Sequence, residues 1–327
     1  VLLLAAPAWA GTFCVPDASI RDTCPSVAPT LQEAINAATP GSVIYVGPGT
    51  PSQRIVIDRR LTIRCINGGE ITDEGLAKVF GANVVHMVGT GTPPRPVIST
   101  RIEACTIRVT ASTAGAVLLE PQQIFTQFKG VSLIADMGGQ KPIYGLRAYD
   151  NGRYFFIGGP KGTPRPTVSG FGIGIDSKNT GWANVEAGHQ GGVLFTENGI
   201  GMRSISDKGQ LFYNVFDGNE DVGLIIRGNF HQDVNANEFY NNGVGLVWGL
   251  SLTPNIWNGC TAQTMMEFNH AIFEGNGISI LVDTAPFVNT QDYTQDPGRG
   301  TQWQNMTIDG VKVPNHKTTY RDGQCQP

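Results

Sequence analysis

The sequence predicts a parallel β-helix, a solenoid of short parallel strands, and three observations predict it. Gly201, Gly223 and Gly245 recur at an interval of 22 residues, each at the head of a short apolar run. Phe195, Phe216 and Phe239 precede those runs and Phe273 a fourth from Ser279, each followed three residues later by an asparagine: Asn198, Asn219, Asn242 and Asn276. A short amphipathic helix pattern opens the strand-rich region. About 22 residues at roughly 3.3 Å each make three short strands and their turns, which is one coil. Self-similarity at such a period marks repeat architectures. Phenylalanines in the same place on every coil stack inside, and asparagines at the turns form a side-chain ladder. A leucine-rich horseshoe would carry an L-x-x-L-x-L signature, which is missing, and an antiparallel sandwich would show hairpin turns rather than a fixed phase.

The elements follow in order. Residues 1–10 end in Ala8-Trp9-Ala10 after an apolar run, the pattern of a secretory h-region and its cleavage site, here truncated at its start. That run is too short to span a bilayer, which takes roughly 20 residues, and no later run is long and charge-free enough. Residues 11–28 form a cysteine-bearing segment. Thr30-x-x-Glu33 is a capping box, Leu31, Ala34, Ile35 and Ala38 share one helical face, and Pro40-Gly41 stops the helix. Such a helix serves as the terminal cap that a repeat stack needs. "SVIYV", "RIVID" and "LTIRC" then read as strands, and the solenoid is placed at 29–285. Beyond it, 286–327 loses the repeat and reads as a cap or tail. The Pro-rich stretches Gly91–Val97 and Gly162–Val168 read as loops between coils, since proline cannot donate to a ladder.

Composition limits function. Of 327 residues only 15% are charged, with Gly 42 and Pro 20, a turn-rich profile. The net charge of −4 argues against a general nucleic-acid binder. The six cysteines contain no C-x-x-C pair, so zinc is not expected; behind an export signal an even count suggests disulfides. The preferred pairing is Cys14–Cys24, Cys65–Cys105 and Cys260–Cys325, with free buried thiols as the alternative.

The opening "LQEAINAATPGSVIYVGPGT" and turns of the type N-x-F-x-x-N-x-x-G resemble secreted right-handed β-helix proteins of the pectin-lyase-like superfamily, over roughly 29–285. The resemblance implies a right-handed coil and an exported protein. It does not imply one chemistry, because that superfamily holds lyases, hydrolases, esterases, epimerases, tailspikes and non-catalytic members.

Aligning the runs on their first residue gives a register for one sheet. Leu146 and Ala148, Ile175 and Ser177, Met202 and Ser204, Leu224 and Ile226, Leu246 and Trp248, and Ile280 and Val282 fall inward. Outward fall Arg147 and Tyr149, Asp176 and Lys178, Arg203 and Ile205, Ile225 and Arg227, Val247 and Gly249, and Leu281 and Asp283. With coils about 4.8 Å apart, Arg147, Asp176 and Arg203 form one ladder, and Tyr149, Lys178 and Arg227 lie beside it. The resemblance implies that this face lines a polysaccharide groove. Its lyases use an arginine or lysine as base, with cations or Ca²⁺ neutralising the uronate. Lys178, Arg203 and Arg227 are the candidate catalytic residues; Arg147, Tyr149 and Asp176 are candidate substrate ligands. A solvated salt ladder is the competing explanation.

No cofactor is expected, with Ca²⁺ as a poorly supported alternative. Asp176 is the sole carboxylate in mid-face, and Ca²⁺ prefers several oxygen ligands. The five histidines lack ligand spacing, and the motifs of polygalacturonases and pectin methylesterases are missing. The expectation is a secreted protein that binds an extracellular acidic polysaccharide and, if it is an enzyme, cleaves it by β-elimination as a polysaccharide lyase rather than a glycoside hydrolase. The alternative is a non-catalytic surface or periplasmic scaffold. Sequence leaves the oligomeric state open.

Overall fold

The computed structural model describes residues 11–15, 24–88, 98–120, 124–150, 153–158, 164–180, 183–186, 192–205, 207–227, 231–249, 255–257, 260–262, 265–284, 288–290, 301–314 and 316–317. Three long sheets wind around one apolar core. Sheet A has thirteen strands, and sheets B and C have ten each. The chain visits A, then C, then B, and returns to A one coil further on. Neighbouring coils pair in parallel, as in Leu224↔Leu246 and Phe216↔Phe239. The fold is a right-handed parallel β-helix, the hand that parallel crossovers take.

The repeat has a steric origin. Phe195, Phe216, Phe239 and Phe273 are fully buried and stacked, with successive centroids 4.8, 5.0 and 4.6 Å apart and rings within 8° of parallel. Gly201 sits beside this column: a Cβ there would lie 2.5 Å from the Gly223 carbonyl oxygen and 2.9 Å from the Phe216 ring. Only glycine lets the backbone pass so close, which is why it recurs with the phenylalanine.

Asparagines hold the turn. The Asn198 side chain donates to Asn219 Oδ1 (3.1 Å), Asn219 to Asn242 (2.8 Å) and Asn242 to Asn276 (2.9 Å). Each amide also donates to a backbone carbonyl of the preceding coil, such as Asn219 to Phe195 O. Buried amides are satisfied this way. A second ladder, Asn214 to Asn237 (3.0 Å), runs at another corner.

The helix Leu31–Ala37 closes the N-terminal end, burying Leu31, Ala34 and Ile35. Its Thr30 hydroxyl accepts from Glu33 N (3.2 Å) and donates to the Glu33 carboxylate (3.1 Å). Replacing Thr30 by alanine should cost about 1 kcal/mol, read as a lower urea midpoint. Thr12–Val15 extends sheet A beyond the helix, pairing with Ser42–Val46. Disulfides Cys14–Cys24 and Cys65–Cys105 form as expected. Cys325 and the signal-like residues 1–10 lie outside the described residues, as does Gly91–Val97, and of Cys260 only the backbone is described.

Parallel pairing continues past residue 285. Thr301–Gln304 joins Met265–Asn269, and Thr307–Ile308 joins Ile272–Glu274. Each sheet then ends on an antiparallel strand: Val288–Thr290 in B, Val311–Lys312 in C and His316–Lys317 in A. A reversed strand occupies an edge that would otherwise template another chain. No helix among the described residues is long and apolar enough to cross a membrane.

Candidate functional site

The outer face of sheet B carries the residues singled out from the sequence, in the register expected from the glycine alignment. Arg147 pairs with Asp176, and Asp176 with Arg203; Tyr149 pairs with Lys178, and Ile205 with Arg227. The inward set described here is buried, from Leu146 and Ala148 to Leu246 and Trp248.

Asp176 stands on the outer face yet is only 1% exposed. Its neighbours cover it. Arg203 donates twice, Nε to Oδ1 at 2.8 Å and Nη2 to Oδ2 at 2.9 Å. Arg147 Nη2 donates to Oδ2 at 3.3 Å, and the Tyr149 hydroxyl donates to the same oxygen at 2.5 Å. Arg203 Nη2 also donates to the Tyr149 oxygen at 3.1 Å. The Arg147 guanidinium lies 4.0 Å from the Tyr144 ring centre and 5.1 Å from that of Tyr149. Tyr144 is itself fixed by donating to Asn83 Oδ1 at 2.7 Å. The result is one preorganised unit spanning three coils, in which a buried carboxylate sets two arginines and a tyrosine.

The electrostatics follow from this packing. Hydrogen bonding to Asp176 holds the Arg203 guanidinium above its usual range, against the opposing effect of burial. Burial raises the Tyr149 phenol, and its hydrogen bond to Asp176 raises it further. Both groups therefore stay protonated donors at neutral pH. Lys178 is exposed and Arg227 partly exposed at the edge of the unit.

Two neighbouring features escaped the sequence reading. On the same face, His86 Nε2 and Glu120 Oε1 are 2.7 Å apart. His86 is two coils before Arg147 in the column through Leu118. The glycine frame begins at Gly145, so it could not reach them. Beneath the face lies Asp207, fully buried. It accepts from Thr180 N (2.8 Å), Thr180 Oγ1 (3.0 Å) and Ser204 Oγ (2.8 Å). Burial pushes it up to about 6, with those hydrogen bonds opposing. Two serines at inward positions, Ser177 and Ser204, were the available signal, because a buried hydroxyl needs a partner.

The donor set does not fit Ca²⁺. Both Asp176 oxygens already accept from arginine or tyrosine, and the described residues contain no cluster of three or more histidine, cysteine, aspartate or glutamate side chains suited to a metal. Asp217 and Glu274 are the carboxylates that follow a repeated phenylalanine, but Tyr240 stands between them in the ladder and Asp217 accepts from Asn241 (3.0 Å).

The fold and face together define a class: a parallel β-helix with a rigid, cation-rich patch on one sheet. No family model matches the chain, and no curated protein matches it. Among solved structures, the A-module of the mannuronan C-5 epimerase AlgE6 of Azotobacter vinelandii is similar at 13% identity. That match covers 85% of this chain and 94% of the other, with a TM-score of 0.31. A match of that degree leaves the fold to the strand pairing and the function to the side chains.

Proposed function

We propose that this chain binds an acidic polysaccharide along the outer face of sheet B. The observation that carries the reading is the clamp on Asp176, which presents Arg147 and Arg203 in fixed positions beside exposed Lys178 and partly exposed Arg227. Fixed cations bind a polyanion without paying much side-chain entropy on contact. The two disulfides support an oxidising compartment outside the cytosol, where such glycans occur.

β-Elimination is the finer form of this reading. Lys178 as the neutral amine takes the proton α to a uronate carboxylate and becomes the ammonium, the C4–O glycosidic bond breaks as the C4–C5 double bond forms, and the departing oxygen gains a proton from water. Arg203, held charged by Asp176, serves better as the cation that neutralises the carboxylate than as a base. The same clamp favours a second reading, a non-catalytic binder, because Arg147 and Arg203 already donate to Asp176.

One set of measurements separates these readings. The double variant Lys178→Gln with Arg227→Gln should weaken binding of uronate oligosaccharides several-fold, each exposed contact being worth roughly 0.2–1 kcal/mol. Unchanged binding by that variant removes the sheet B reading. A rise in ultraviolet absorbance from an unsaturated uronate, with wild type and not with Lys178→Gln, establishes elimination; binding without it leaves the non-catalytic form.

A further inference from the structure

Sheet A has an outer face of its own, on strands Ile98–Glu103, Ile124–Lys129 and Arg153–Ile157. These strands pair in register: Ser99↔Phe125↔Arg153, Arg101↔Gln127↔Phe155 and Glu103↔Lys129↔Ile157. Alternation sends Thr100, Ile102, Thr126, Phe128, Tyr154 and Phe156 into the core, where each is at most 1% exposed. Arg101, Lys129 and Arg153 are exposed, and Phe125 and Phe155 are partly exposed.

Three properties set this face apart. Its aromatic rings lie 5.2 Å apart, tilted by 58°, on the side of the sheet away from the core. Arg101, Lys129 and Arg153 form no ion pair among the described residues, whereas Arg64 on the same sheet is bound to Glu103 and Arg147 and Arg203 on sheet B are bound to Asp176. In the ladder Phe125 stands directly against Arg153, and Gln127 separates Arg101 from Phe155, with coils about 4.8 Å apart, close to the length of one sugar unit along an extended glycan. Glu103, the carboxylate beside Lys129 in this register, is bound by Arg64, and in a chain of net charge −4 a grouping of cations outside any such pair attracts anions locally.

We infer that the outer face of sheet A, through Arg101, Lys129, Arg153, Phe125 and Phe155, is a second binding surface for an anionic polysaccharide. Sugar faces lie on the two rings, and carboxylate or sulfate groups meet the three cations. Basic and aromatic side chains grouped on one face also suit single-stranded nucleic acid. The two disulfides favour the glycan, since they form in compartments where the polyanions are carbohydrate. This surface is separate from that of sheet B and does not depend on it.

The test is affinity electrophoresis of the full chain through gels containing polygalacturonate, at low salt and at physiological salt. The variant Arg101→Gln, Lys129→Gln, Arg153→Gln should lose retention on the order of tenfold, the combined worth of three modest exposed contacts. Its thermal melting should match wild type, because the changed side chains are exposed. Phe125→Leu with Phe155→Leu, which keeps the apolar bulk, should lose retention that persists at physiological salt, where the charge contribution is screened. The sheet B variant Lys178→Gln with Arg227→Gln should keep the retention due to sheet A, so failure on one face is read independently of the other. Retention unchanged in both sheet A variants overturns the inference. So does displacement of polygalacturonate by poly(dT) at equal charge concentration, which would assign the face to nucleic acid.

Discussion

Replacing Asp176 by alanine should lower the unfolding free energy by about 3 kcal/mol, and asparagine by less. The side chain is 1% exposed, while Arg147 and Arg203 are 28% and 30% exposed. Removing one partner of a buried ion pair costs about 3–5 kcal/mol because the other charge is left unpaired. The arginines here can still reach water, which places the expected loss at the lower end of that range. Tyr149 also loses the acceptor for its hydroxyl. Arg203→Ala should be destabilising too, in contrast to Lys178→Ala, which should change stability by less than about 0.5 kcal/mol. Urea unfolding of the three variants decides the matter. A loss under about 0.5 kcal/mol for Asp176→Ala would show that the carboxylate is not the organiser of the face. The measurement also bears on function, since a variant with loosened arginines should bind uronates more weakly at a temperature where it is still folded.

The coil and its contents were legible because they are periodic. Gly201, Gly223 and Gly245 mark where the backbone passes the phenylalanine column, and that steric demand repeats with the coil. The same alignment placed Arg147, Asp176 and Arg203 in one column, which the strand pairing reproduces. It could not show that Asp176 is covered. An outward position is a property of the backbone, whereas its burial depends on how Arg203, Arg147 and Tyr149 fold across it from two neighbouring coils. The sheet A face was missed for a related reason. Its strands carry no glycine or asparagine frame, and their alternation of Phe125, Gln127 and Lys129 acquires meaning only beside Arg101 and Arg153 from adjacent coils. Asp207 belongs to no repeat at all. It answers a local need, that of Thr180 and Ser204, and only a search for partners of inward serines would have found it.

Asp207 also sets a pH dependence that can be measured. Burial pushes its carboxyl up to about 6 in the folded chain, against 3.8 for the ordinary group. The folded state therefore holds this proton more tightly than the unfolded state does. The resulting stabilisation is fully present below about pH 4 and is lost as the pH rises through about 6. A shift of this size corresponds to roughly 3 kcal/mol, as an order of magnitude. Asparagine at 207 keeps an oxygen to accept from Thr180 and offers an N–H to the Ser204 hydroxyl, but carries no charge at any pH. The stability of wild type minus that of Asp207→Asn should thus fall by roughly 3 kcal/mol between about pH 4 and about pH 7. Other carboxylates titrate in both chains and cancel in the difference. Asp207→Ala is the useful contrast, since it leaves the Thr180 N–H without an acceptor and should be destabilised by about 1–3 kcal/mol even at low pH. Urea unfolding at the two pH values supplies each number. Wild-type and Asp207→Asn stabilities that run parallel from pH 4 to pH 7 would mean that the buried carboxyl does not titrate in this window. A difference that grows in favour of wild type would mean that its hydrogen bonds outweigh its burial.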